Sequence, residues 1–163
     1  MPDDVNLVVE QWKRERPDLD PSPIAVVGRL SKLAKKLESE LGEGLSRFGL
    51  SEGDFDALCT LRRSGKPYRL TPTELAEAVL ISAAGMTKRL DRLERAGFIR
   101  REPSPADRRS TLIALTPSGR RIADRALTSH LHDEERLLAS LDAEERAELA
   151  GLLARLLETP PTR

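Results

Sequence analysis

Between Ser51 and Thr116 the chain changes its hydrophobic period twice, and that change restricts the fold more than any other feature. Up to Gly97 the apolar residues recur at helical spacing. From Phe98 to Glu102, and again from Ser110 to Leu115, the pattern is that of short strands, and beyond Thr116 helical spacing returns. Capping chemistry marks the helix starts. Ser51-Glu52-Gly53-Asp54 reads as a capping box with Asp in place of the usual Glu, and Thr71-Pro72-Thr73-Glu74 supplies Thr as N-cap, Pro in the first turn and Glu at the third position. Thr116-Pro117-Ser118-Gly119 repeats the Thr-Pro start, for a helix predicted to run to about Ser140, and Asp142 with Glu145 opens a last helix. A helix is predicted from Ala83 to Ala96, with Ile81-Ser82 as the turn and N-cap before it, Met86, Leu90 and Leu93 as its buried stripe and Gly97 as its stop. Pro103-Ser104-Pro105-Ala106-Asp107 forms the tip between the two strands.

The flanks are helical. Val5, Val8, Val9 and Trp12 fall at the spacing of a short amphipathic helix, which Arg16-Pro17 and the residues to Pro21 break. A long helix starts at Asp20-Pro21 or Ser22-Pro23 and ends at Phe48-Gly49-Leu50. Its residues Leu30, Ala34, Leu37, Leu41 and Leu45 form a near-heptad seam that either lines the core or meets a partner helix. The fold class predicted is mainly α with a small β-hairpin wing. This is a winged helix-turn-helix between N- and C-terminal helices. The divisions predicted are 1–20 (N-terminal helix and linker), 21–50 (long helix), 51–116 (winged helix-turn-helix) and 117–163 (C-terminal helices).

Composition narrows the function classes. Among 163 residues there is one Cys and there are two His, which excludes an intramolecular disulfide and a Cys-rich zinc site. No apolar run approaches the roughly 18 residues of a membrane span, and Met1 to Lys13 build no apolar leader, so a cytoplasmic protein with no membrane partner is expected. No GxGxxG, GxSxG, HExxH or P-loop pattern is present, so no enzyme, catalytic residue, metal or cofactor is expected.

Equal numbers of acidic and basic residues, 27 of each, hide a segregation. Residues 82–109 carry a net charge of +4, whereas 132–158 carry −5 and 1–20 carry −3. A basic middle between acidic ends suits a localised anion-binding surface. With Met86, Leu90 and Leu93 turned inward, Ser82, Thr87, Lys88, Arg89 and Arg92 are left to face DNA, and Arg108 and Arg109 at the hairpin tip suit phosphates or the minor groove.

The stretch RLDRLERAGFIRR, the DRRS of the hairpin and the LTPSG after it, in this order and spacing, resemble the MarR (multiple antibiotic resistance regulator) transcription factors over about residues 24–158. The resemblance implies a homodimeric repressor on a pseudo-palindromic double-stranded DNA operator, released by a small anionic or phenolic effector, with 51–116 as the DNA-binding domain, 21–50 and 117–163 as the N- and C-terminal dimerisation helices, and 1–20 as an added helix and linker. It also implies an Asp107–Arg109 pair that holds the wing and leaves Arg108 to the DNA. The added segment VNLVVEQWKRERPDLDPSPIAVVGRL, which carries the sole Trp, is similar to that of the urate-responsive subgroup. By that resemblance Trp12, Arg16, Asp56 and Arg89 bind urate or a related purine. Each has a plainer reading as well: Trp12 docks its helix, Arg16 caps it, Asp56 is solvated or paired with Arg63, and Arg89 meets phosphate. The alternative effectors are a phenolic or carboxylic acid, or an oxidant acting through Cys59. Cys59 also reads as a small core residue, and His130 and His132 point to different helix faces.

Overall fold

The computed structural model describes residues 4–80, 84–105 and 110–158, which form seven helices and three strands in two compact units, residues 1–43 and 44–163. In the first unit α1 (Val5–Glu15) buries Val5 and Val9. Val5 packs at Gly28 of α2 (Ser22–Ser46), where a Cβ would lie 3.3 Å from its methyl group. An Asp4–Lys32 ion pair and a bond from Arg29 Nη2 to Asn6 Oδ1 (2.9 Å) fasten the two helices together. Only half of the expected apolar stripe is covered, because Val8 and Trp12 stay 38% and 49% exposed. The Asp20 carboxylate accepts from Ser22 N and Oγ and so starts α2. Along the seam, Leu45 is buried, Leu30, Leu37 and Leu41 are half-buried and Ala34 is exposed.

In the second unit α2 ends in a Schellman turn. Leu50 N–H bonds to Leu45 O and Gly49 N–H to Ser46 O, with Gly49 at φ 68°. The unit continues with α3 (Glu52–Arg63), β1 (Arg69–Leu70), α4 (Pro72–Ala78), α5 (Met86–Arg95), β2 (Ile99–Pro103), β3 (Thr111–Leu115), α6 (Pro117–Leu137) and α7 (Ala143–Glu158). The Ser51/Asp54, Thr71/Glu74 and Asp142/Glu145 caps all form as their sequences predict.

The sheet order is β1-β3-β2, all antiparallel, with Ile99 opposite Leu115 and Pro103 opposite Thr111. β1 is an addition that the sequence does not announce. It pairs Arg69 with Ala114 and Leu70 with Ile113, and puts β3 in the middle of the sheet. The core gathers Leu58 and Leu61 of α3, Leu75 of α4, Leu90 and Leu93 of α5, Ile99 and Ile113 of the sheet, and Ala123 and Ala126 of α6. Small residues (Ala57, Ala123, Ala126, all fully buried) let α3 and α6 approach closely.

Two expected boundaries move. α5 starts at Met86 behind Gly85, which takes φ 71°, so Gly85 is the N-cap of the described helix; the expected start at Ala83 and its cap Ser82 lie outside the described residues. A left-handed residue cannot sit inside a helix, and glycine adopts that conformation without a Cβ penalty. α6 ends at Leu137, short of Ser140, because Leu138 to Ser140 turn toward the Asp142 cap.

Gly119 shows how tightly α6 meets the end of α5. A Cβ there would fall 1.9 Å from the carbonyl oxygen of Phe98, a backbone atom that cannot swing aside. Gly119→Ala is therefore expected to lower stability by about 1–3 kcal/mol, and thermal unfolding of the variant against wild type measures it. An unchanged melting temperature would contradict this packing.

Candidate nucleic-acid interface and ligand groove

α5 presents two faces. Met86, Leu90 and Leu93 are buried, whereas Thr87, Lys88, Asp91, Arg92 and Arg95 are exposed. Gly85 offers no side-chain cap to the first turn of α5, whose residues Thr87 and Lys88 are exposed. Ser82, Arg108 and Arg109, together with Asp107, lie outside the described residues.

The arginines of α5 are not equivalent, a distinction absent from sequence spacing. Arg92 turns back to α3. Its Nε and Nη2 donate to the two oxygens of Asp54 at 3.0 and 2.6 Å. The same carboxylate accepts from Ser51 N (3.2 Å) and Ser51 Oγ (2.7 Å), while Asp54 N–H donates to Ser51 Oγ. Asp54 is thus both the capping residue of α3 and the anchor of α5. Burial by itself would raise its pKa, but the bonds from Arg92 and Ser51 outweigh burial and hold the carboxyl below the usual carboxylate range.

Arg89 is also folded back. Its guanidinium lies over Gly53 in the first turn of α3, where a Cβ would come within 2.2 Å of Nη2. The glycine makes the space that the guanidinium occupies, and a glycine in the first turn of a capped helix is the one sequence signal of it. On the other side of α5, Arg101 of β2 reaches Asp91 Oδ1 (2.6 Å) and Glu94, and its own N–H donates to Glu94 Oε1 at 3.0 Å. Arg101 is a positioning residue that nothing in its own stretch of sequence sets apart from Arg100.

Asp56 is buried at 7% exposure, so the solvated reading is corrected, and it accepts a long bond from Thr60 Oγ1 (3.5 Å). Arg63 donates to Thr60 Oγ1 and to the Ala78 carbonyl, joining α3 to the end of α4. Cys59 is half-buried. Burial first, and Asp56 second, push its thiol up to about 12, so at neutral pH it keeps its proton and is a poor nucleophile. His130 packs against Phe55 with ring centroids 4.7 Å apart and planes tilted by 45°, and it lies 3.2 Å from Glu134, which gives it a packing role.

In the first unit Trp12 and Arg16 line one groove of about 280 Å³, with Leu19, Asp20 and Ile24 among its walls. Arg16 N–H closes α1 on Trp12 O (2.8 Å), so its backbone serves as the cap. Its guanidinium is held by Asp18, Nε to Oδ1 at 2.8 Å and Nη2 to Oδ2 at 2.6 Å. The structure brings Trp12 and Arg16 together, while Asp56 and Arg89 belong to the neighbouring helices α3 and α5 of the second unit.

The comparisons with known proteins agree with this architecture. The family model of the MarR family matches residues 50–111. The transcriptional regulator PecS of Dickeya dadantii is 40% identical over 94% of this chain and 92% of its own length. Among solved structures, Sco3205, a MarR family regulator from Streptomyces coelicolor in complex with DNA, superposes with a TM-score of 0.77 at 27% identity, covering 87% of this chain and 94% of that one. A mutant Escherichia coli MarR complexed with operator DNA gives 0.70 at 28% identity, covering 90% and 97%.

The Asp54 pair makes stability depend on pH. A carboxyl whose pKa is lower in the folded than in the unfolded chain stabilises the fold fully above its unfolded value, about 3.9. That stabilisation is lost as pH falls through the folded pKa. Asp54→Asn is expected to cost about 1–2 kcal/mol at pH 7, with the gap to wild type closing below about pH 4. Urea unfolding of both proteins at pH 7 and pH 3 checks this; equal stabilities at pH 7 would remove Asp54 from the anchor role.

Proposed function

The chain belongs to the MarR family of DNA-binding transcriptional regulators, and from that membership we propose a homodimeric repressor released from its operator by a small planar anion, urate or a related purine. The groove carries this reading: Trp12, an aromatic residue, and Arg16, a cationic one, both line a cleft in the added N-terminal segment. A flat anionic heterocycle is recognised by such a pair, the ring stacking on Trp12 and its charged edge accepting from Arg16. Asp56 and Arg89 complete the effector set by the subgroup resemblance. Arg89 gives it mechanical meaning, since it belongs to α5 and rests on α3. By that resemblance, an anionic effector pushes Asp56 away, and if Asp56 pairs with Arg89 its displacement pulls on α5.

DNA contact is assigned to Thr87 and Lys88 on the open face of α5, with Arg89 and Arg92 partly committed to α3 and Ser82, Arg108 and Arg109 assigned by position. Two copies of α5, one per protomer, would enter successive major grooves. Residues 51–116 are the DNA-binding part, 1–20 the effector segment, and 21–50 with 117–163 the dimerisation helices. The last assignment is supported by α7, every residue of which is exposed or half-exposed in the single chain, Leu152 and Leu156 among them. Among the described residues no helix is long and apolar enough to cross a membrane. A phenolic or carboxylic acid would use the same groove, whereas the protonated Cys59 gives an oxidant no ready thiolate.

Fluorescence anisotropy on the chain's own upstream intergenic DNA tests the reading. Binding is expected to weaken steeply with salt and to be reversed by urate; binding indifferent to urate and xanthine would discard the purine assignment and keep the regulator. Lys88→Ala is expected to weaken binding about tenfold and to flatten the salt dependence by about 0.9 in log–log slope for each phosphate left without its cation, the dimer remaining intact. In Trp12→Phe and Asp56→Asn, DNA affinity should persist while the urate response is blunted. A full response in both would sink the effector assignment.

A further inference from the structure

We infer that Asp18 sets the effector threshold by competing with the incoming anion for the Arg16 guanidinium, an inference that rests on the groove being the effector site. Arg16 offers five N–H donors in a flat fork. In the structure one edge of that fork, Nε with Nη2, is fully engaged by the two oxygens of Asp18, so the cation meets the groove already paired. The pair is built by local sequence. Arg16-Pro17-Asp18 turns tightly after α1, Leu19 N–H closes on Arg16 O at 3.0 Å, and the carboxylate is brought back beneath the guanidinium two residues earlier.

The other carboxylate at this turn does not compete. Asp20, which lines the groove, spends its oxygens on Ser22 N and Oγ as the start of α2. Asp18 starts no helix, and both of its oxygens are turned to Arg16. An anion that stacks on Trp12 then has two courses. It takes the remaining Nη1 edge beside a like charge, or it displaces Asp18 and claims the whole fork. Both weaken binding of an anion relative to an unopposed arginine, and neither weakens binding of a neutral ring. Asp18 is therefore a specificity-determining residue that lowers affinity for charged effectors. Because both side chains are exposed, displacement is cheap and the threshold is adjustable.

The test uses Trp12, the sole tryptophan, as its reporter. Quenching of its fluorescence is titrated with urate, an anion at neutral pH, and with hypoxanthine, which is neutral there, in wild type, Asp18→Asn and Asp18→Ala. Both variants are expected to bind urate about three to five times more tightly, with the hypoxanthine titration changed less than twofold. Unchanged or weaker urate binding in both variants, with wild type still quenched, overturns the competition and leaves the groove standing as the effector site. Equal tightening for both purines overturns it as well, because the gain would then not be one of charge. If no variant responds to urate, this inference and the purine reading fall together. Quenching in the variants alone would support the competition at its strongest.

Discussion

The second unit depends on one buried carboxylate. Asp54 caps α3 through Ser51 and holds Arg92 of α5 through both of its oxygens. A charge taken out of water must be compensated on every lone pair or it destabilises the fold, and here the compensation comes from two elements distant in sequence. The start of α3 and the position of α5 are consequently fixed by the same atoms. Arg89 adds a second contact of a different kind, a guanidinium seated in the space left by Gly53. Neither arrangement survives if the two helices drift apart, so the outward face of α5, with Thr87 and Lys88, is presented at a defined angle.

Much of this fold is legible in the sequence because its signals are local. The three capping boxes, the glycine stops at Gly49 and Gly97 and the β2–β3 hairpin all rest on chemistry completed within a few residues. What escapes is non-local or too short to carry a period. A strand of two residues, Arg69–Leu70, has no alternation to read. Serine is a usual cap, so Ser82 draws the predicted start of α5 to itself, whereas the backbone uses a left-handed Gly85. Arg92 reads on a helical wheel as one more outward cation, and only the folded chain brings it to a carboxylate 38 residues away. The pairing of Trp12 with Arg16 follows from their spacing on α1, but the hold of Asp18 on that arginine depends on the path of the turn after it.

The tie from Arg101 to Asp91 and Glu94 has a mechanical consequence. It joins the middle of a strand to the last turns of a helix, and β2 in turn is laced to β3 along its whole length. Helix and hairpin therefore behave as the two jaws of a caliper cast in one piece, with a set gap between them. Such a tool does not open gradually. A small rotation at its root turns helix and strands together, with no play between them.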